Sequence, residues 1–191
     1  MTMNLSPDTI LSIFLGIGLA ASVGFRVFLP LFALSLAAHF GAWELNENWQ
    51  WIGSLTALVA LGVATLVEIF AYFIPWLDNA LDSIAVPLAA VAGTAVMVST
   101  IANLDPVVTW SLAIIAGGGT ATAIKGANAA GRLTSTTTTG GLANPLVATI
   151  ETGTAVAVST ASILVPPIAA ILVIIILVII FRIYRKLRPK R

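Results

Sequence analysis

Cysteine is absent from the 191 residues, so a disulfide framework and thiol redox chemistry are both excluded. Charge is scarce as well. Asp, Glu, Lys and Arg make up 9% of the chain, where soluble domains carry about 25%. With 59% hydrophobic residues and a mean hydropathy of +1.04, the chain holds more apolar surface than one soluble core can hide. The composition therefore predicts a polytopic membrane protein. Histidine occurs once, as His39, beside Phe40 at the end of an apolar run, where an interfacial place is expected. A lone histidine supports no Ser/His/Asp set and no histidine metal motif, and no glycine loop is followed by Lys-Ser/Thr. We expect no enzyme activity, no cofactor and no nucleic-acid partner.

What the chain does have is apolar runs, at 9–38, 52–74, 86–101, 107–130, 146–164 and 168–184. A span needs about 20 residues, so the expectation is an all-α bundle of about six transmembrane helices forming a single domain over 1–191. The first run is too long. Its 30 residues would make a helix of about 45 Å, against a hydrocarbon core of about 30 Å. It must tilt strongly or break, and Gly24 and Pro30 mark where a break would fall. The first basic residue is Arg26, too late for a signal peptide's positive stretch, so this run is expected to be retained.

Six of the nine basic residues, Arg182, Arg185, Lys186, Arg188, Lys190 and Arg191, lie in the last ten positions. By the positive-inside rule the tail 182–191 is cytoplasmic, and six spans put the N-terminus on the same side. Segment 41–51 carries Glu44 and Glu47 without Lys or Arg, as an external loop can, and Trp43, Trp49 and Trp51 suit an aromatic belt. Arg132 is read as opening a cytoplasmic loop. Asp78 and Asp82 are read as solvated or capping acids in another such loop, with no third ligand for a metal.

Dividing the chain near Asp105 and Pro106 leaves three runs on each side, with a shared pattern. Gly18, Ser22 and Arg26 step by four in the first half. In the second, Gly118, Thr122 and Lys125 step by four and three, and Asn128 and Arg132 continue that helical face. Each half then has an acid in its second helix, Glu68 or Glu151, and a third helix expected to begin at proline, Pro87 or Pro166-Pro167. Three spans is an odd number, so the second copy enters from the opposite side. This gives an inverted repeat, about 8–103 and about 107–187. The hydroxyl-rich linker 133–145 reads either as a plain loop or as a re-entrant segment. Gly117, Gly118 and Gly119 allow either close helix contact or local unwinding.

Arg26, Glu68, Lys125 and Glu151 stand inside or at the edge of these runs. Each unpaired charge at a helix centre costs roughly 2.5–3.5 kcal/mol, so they should face one another or water. Thr65 and Tyr72 share a helical face with Glu68 and would offer its carboxylate two hydroxyls. Arg26 suits a fixed partner for Glu68 or an anionic substrate. Asn144 precedes Glu151 by two helical turns.

The stretches 18–30, Val67-Glu68 through Pro75, Asp78 and Asp82, and 125–132 leading to Asn144 and Glu151 resemble a bacterial membrane family known as domain of unknown function 4126. The basic tail after an Ile/Leu/Val run also fits. The resemblance implies a small helical inner-membrane protein and no established activity. The family pattern carries an Asp four residues after the first acid and another directly after the second. This chain has Tyr72 and Thr152 at those places.

Together these features predict a small transporter or channel, moving an ion or small polar solute past Arg26, Glu68, Lys125 and Glu151. Ser22, Tyr72, Thr122, Asn128, Arg132 and Asn144 are secondary candidates, and no residue is assigned as catalytic or metal-binding. Six short helices enclose little volume, so a homodimer among membrane lipids is expected. The alternatives are a scaffold or accessory subunit whose charges are structural pairs, and a lipid-phosphate translocase with a groove open to lipid.

Overall fold

The computed structural model describes residues 6–102 and 104–187, apart from the side chains of Pro75, Trp76, Asp78, Asn79 and Leu187. Arg188, Lys190, Arg191 and the side chain of Asp78 therefore lie outside the described residues. Those residues form eight α-helices and no strand: α1 Pro7–Val23, α2 Phe28–His39, α3 Leu55–Ala71, α4 Pro75–Thr100, α5 Pro106–Leu112, α6 Gly119–Thr139, α7 Asn144–Leu164 and α8 Pro166–Leu187. A 3₁₀ segment, Glu47–Gly53, leads into α3, and a π-helical segment, Ala113–Gly118, joins α5 to α6. Starts follow local chemistry. Ser6 caps α1, Ser54 caps α3 and Asp105 caps α5, each accepting a backbone amide, and proline opens α1, α4, α5 and α8.

Four helical stretches are long and apolar enough to cross a membrane: Ala80–Thr100, Pro106–Thr139, Asn144–Leu164 and Pro166–Lys186. A fifth results if Glu47–Gly53 and Leu55–Ala71, bent by 64°, count as one. The outward faces suit such a place. Val59, Val63, Leu66, Val67 and Phe70 on α3, and Ile171, Ile174, Ile175 and Ile179 on α8, are exposed.

The long first run is broken. Its helical ladder stops at Val23 and resumes at Phe28, so α1 and α2 are separate short helices with residues 24–27 between them. Gly24 sits in the break, whereas Pro30 lies in the first turn of α2, where its missing amide costs nothing. The side chain a residue at 24 would carry meets Ile124 of α6 at 2.5 Å, so glycine is also required by packing.

α1 is central and packs on α4, α7 and α8. Leu15, Leu19 and Val23 of α1 meet Ala89, Ala92 and Val96 of α4 and Ala121 of α6 in one core cluster. Small residues set the spacing. A Cβ at Gly18 would run into Ser162 of α7 and Ala169 of α8, and one at Gly117 would lie 2.6 Å from the carbonyl oxygen of Gly93 on α4. The glycine tract thus combines both readings, since Gly117 and Gly118 pack closely against α4 within the π-helical segment.

Four expectations are corrected. The third helix begins at Pro75, leaving Pro87 inside it, and Asp82 lies on that helix rather than in a loop. Proline is tolerated in the interior of membrane helices because neighbouring groups re-satisfy the freed carbonyl. Linker 133–145 is neither plain loop nor re-entrant segment, because α6 runs on to Thr139 and only 140–143 form the turn. The hydroxyls hold that helix by bonding back to it: Thr134 to the Ala130 carbonyl, Thr138 to Thr134 and Thr139 to Ser135. Gly140 and Gly141, with φ of 63° and 87°, then make the turn that L side chains resist. Arg132, finally, opens no loop, being buried within α6.

Candidate functional site

Breaking a helix leaves free carbonyls on one side and free amides on the other. Here both sets meet side chains from other helices. At the carbonyl end, Nδ2 of Asn128 donates to the Gly24 oxygen at 3.2 Å, and Nζ of Lys125 to the Phe25 oxygen at 3.3 Å. At the amide end the two oxygens of Glu68, from the last turn of α3, accept the Val27 and Phe28 N–H groups at 2.7 and 2.9 Å. Cations favour helix C-termini and anions favour N-termini, so the break is capped with matching sign at each side. α2 has no capping side chain of its own at Val27, and Glu68 supplies it from a distance.

Glu68 therefore acts differently from expectation. Thr65 donates to the Leu61 carbonyl of its own helix, and the Tyr72 hydroxyl lies 3.4 Å from Nζ of Lys125, so neither holds the carboxylate. Arg26 does not pair with Glu68 either. Its Nε donates to Oγ1 of Thr152 at 2.9 Å and its Nη2 to the Ala148 carbonyl at 2.8 Å, with Oε2 of Glu151 at 3.8 Å. All three partners lie on one face of α7, at spacings of three and four. Arg26 and Lys125 are the two largest side chains with essentially no exposure.

Tyr72, at the end of α3, organises the remainder. Its ring meets two guanidiniums, with the Arg26 carbon 4.1 Å and the Arg132 carbon 4.7 Å from the ring centroid. An aromatic face attracts cations at such distances, more strongly when water is excluded. Arg132 continues outward, donating from Nη1 to Oε2 of Glu151 at 3.0 Å and from Nε to Oδ2 of Asp82 at 3.1 Å. Tyr72 and Thr152 thus both touch Arg26 directly.

The predicted residues divide. Arg26, Lys125, Glu151, Arg132 and Tyr72 converge on one buried cluster, while Glu68 and Asn128 cap the break beside it. Ser22 lies one turn along α1, where its hydroxyl donates to the Ala155 carbonyl and pairs with Ser159, joining α1 to α7. Asn144 ties the start of α7 to Thr136 of α6, and Thr122 is half-buried on α6 outside these contacts. Asp82 and Thr152 were not anticipated as cluster members. A hint existed for Asp82 in its place one helix away from the buried bases, but 50 residues separate it from Arg132. His39 bonds the Gly53 carbonyl through Nδ1 and stays exposed.

Beside the cluster, between α3 and α4, opens a cavity of about 300 Å³ lined by Val27, Phe28, Val67, Ile84 and Leu88, with Glu68 and Tyr72 also in its wall.

Fold and site together describe a helical protein of membrane type, built round a discontinuous helix and a buried cluster of ion pairs. The chain belongs to the family described as Domain of unknown function (DUF4126), which matches residues 13–186. No curated protein and no solved structure matches it.

Proposed function

We propose that this protein is a small transporter or channel that moves an ion or small polar solute past the cluster of Arg26, Lys125, Arg132, Glu151 and Tyr72. The observation that carries the reading is the discontinuous helix at residues 24–27, its two ends facing charged side chains from other helices. Binding sites of secondary transporters are built in this manner, where repeats meet near the middle of the bilayer. The reading takes α1 and α2 as one broken span and the bent 3₁₀ and α3 pair as another, and with the four long stretches proposes six spans in two inverted halves, about 8–103 and about 107–187. In this reading the protein is a homodimer in a bacterial inner membrane, with its basic C-terminus in the cytoplasm.

The second reading is a non-transporting scaffold or accessory subunit, favoured by the complete use of the Glu68 carboxylate as a helix cap. The third, lipid-phosphate translocation, draws on the apolar cavity between α3 and α4. Neutralising Glu68 does not separate these readings, because loss of its cap weakens the fold in all of them. The same holds for Lys125, which bonds the freed Phe25 carbonyl. Glu151 caps neither end of the break and is the better probe. Purified protein in liposomes is tested for ion, proton and solute flux under imposed gradients, wild type against Glu151→Gln, with flux normalised to folded protein. We expect flux in wild type and its loss in the variant. A well-folded wild type that passes nothing across these gradients would favour the scaffold, and movement of labelled lipid alone would favour the translocase.

A further inference from the structure

Two atoms at the centre of the cluster lack a protein partner. Nη1 of Arg26 and Oε1 of Glu151 are buried and make no hydrogen bond among the described residues. The side chains that carry them are 0% and 4% exposed. Buried polar atoms are nearly always paired, since leaving one unpaired costs its full desolvation. The neighbouring atoms are all engaged, Nε and Nη2 of Arg26 with α7 and Oε2 of Glu151 with Arg132. One donor and one acceptor thus remain open on neighbouring side chains, whose engaged atoms Nη2 and Oε2 lie 3.8 Å apart.

The chemistry of the occupant follows from this pair. Nη1 can only donate, and Oε1, on a carboxyl group that already accepts from Arg132 through Oε2, is open as an acceptor. An anion would satisfy Arg26 but face the charge of Glu151, and a metal cation would satisfy Glu151 but face Arg26. A neutral molecule with both a lone pair and an O–H or N–H satisfies both at once. We propose that Arg26 and Glu151 hold one small neutral molecule that accepts a hydrogen bond from Nη1 and donates one to Oε1. Its chemistry is that of water or a small hydroxylic solute. As the solute class of the pathway, the inference rests on the transport reading; as a binding site it stands without it.

The test is an experimental structure of the full chain in lipid nanodiscs, at a resolution that shows ordered water. It is determined without polyols, with added glycerol, and with bromide. The expected result is density within about 3.2 Å of both Nη1 and Oε1. Density of one atom in all three samples identifies resident water, and extended density only with glycerol identifies a solute site; both support the inference. Bromide against Nη1 overturns it, as do Nη1 and Oε1 paired with protein groups and no density between them. Bridging density in a protein that shows no flux would sink the transport reading alone. Flux through a protein whose site is dry or bromide-filled would sink this inference alone.

Discussion

The two halves of the chain each interrupt their first long helix, and they do so by opposite means. At residues 24–27 the ladder stops, and four side chain to backbone bonds from Glu68, Lys125 and Asn128 close it. At Ala113–Gly118 the helix widens into π form without stopping, and no charged residue falls in that segment. A π segment keeps its carbonyls and amides bonded within the helix, so it needs only room, which Gly117 and Gly118 provide against Gly93 and Thr94. A true break exposes peptide groups that lipid cannot solvate, so it needs polar partners of the right sign. Charge beside the break is first the consequence of a broken backbone, whereas Arg26, Arg132 and Glu151 cap neither of its ends.

Removing the amide-end cap should break the comparison most severely. Glu68→Ala leaves the Val27 and Phe28 amides unpartnered, at about 1–3 kcal/mol for each buried donor. We expect a loss of about 2–6 kcal/mol, seen as a large fall in the thermal midpoint by tryptophan fluorescence in detergent. A midpoint unchanged within error would mean that the carboxylate does not cap α2.

At the π segment the same loss should come from bulk rather than charge. Gly117→Leu places a side chain where the Gly93 carbonyl lies 2.6 Å from a Cβ, and overpacking of this kind costs about 1–3 kcal/mol. Thermal unfolding of this variant beside Gly93→Leu, which meets the same contact from α4, checks the claim. Stability retained by both would show that the helices part easily.

The carbonyl end should respond more weakly. Asn128→Ala frees only the Gly24 oxygen, and a single hydrogen bond contributes about 1 kcal/mol. Amide exchange in the first turn of α2 should stay unchanged in Asn128→Ala and rise in Glu68→Ala. Equal exchange in the two would merge the two ends into one unit.

The smallest effect is a gain. Gly119 has helical φ and ψ of −62° and −46°, and nothing lies near the Cβ it lacks. Gly119→Ala should therefore stabilise by up to about 1 kcal/mol, and a fall in midpoint would reveal that the π segment needs glycine freedom as well as space.

Much of this was legible in the residues. Pro166 opens a helix where proline is expected, and the first run breaks at Gly24, one of the two places marked for a break in a 30-residue apolar stretch that exceeds what a bilayer accommodates. The face of Lys125, Asn128 and Arg132 also holds, each residue reaching the break or the cluster. Other readings failed for identifiable reasons. Thr134 to Thr139 look like loop by composition, yet their hydroxyls bond to the helix that carries them. Pro87 looks like a helix start, yet the helix began at Pro75. Glu68 was noticed for its charge, but its partners are backbone amides, which have no identity that a residue pattern can reveal.

From the sequence alone come the membrane character, the helical class, the excess length that the first run must relieve by tilting or breaking, and the identity of the charges that cannot face lipid. These depend on composition and on spacing along one helix, where neighbours are fixed by the 3.6-residue turn. Which charge meets which group was decided by tertiary structure. Arg26 meets α7 and Tyr72 rather than Glu68, and Arg132 joins Asp82 to Glu151, because contacts across 19 to 126 residues depend on how helices cross. Crossing in turn is set by where glycines allow backbones to touch.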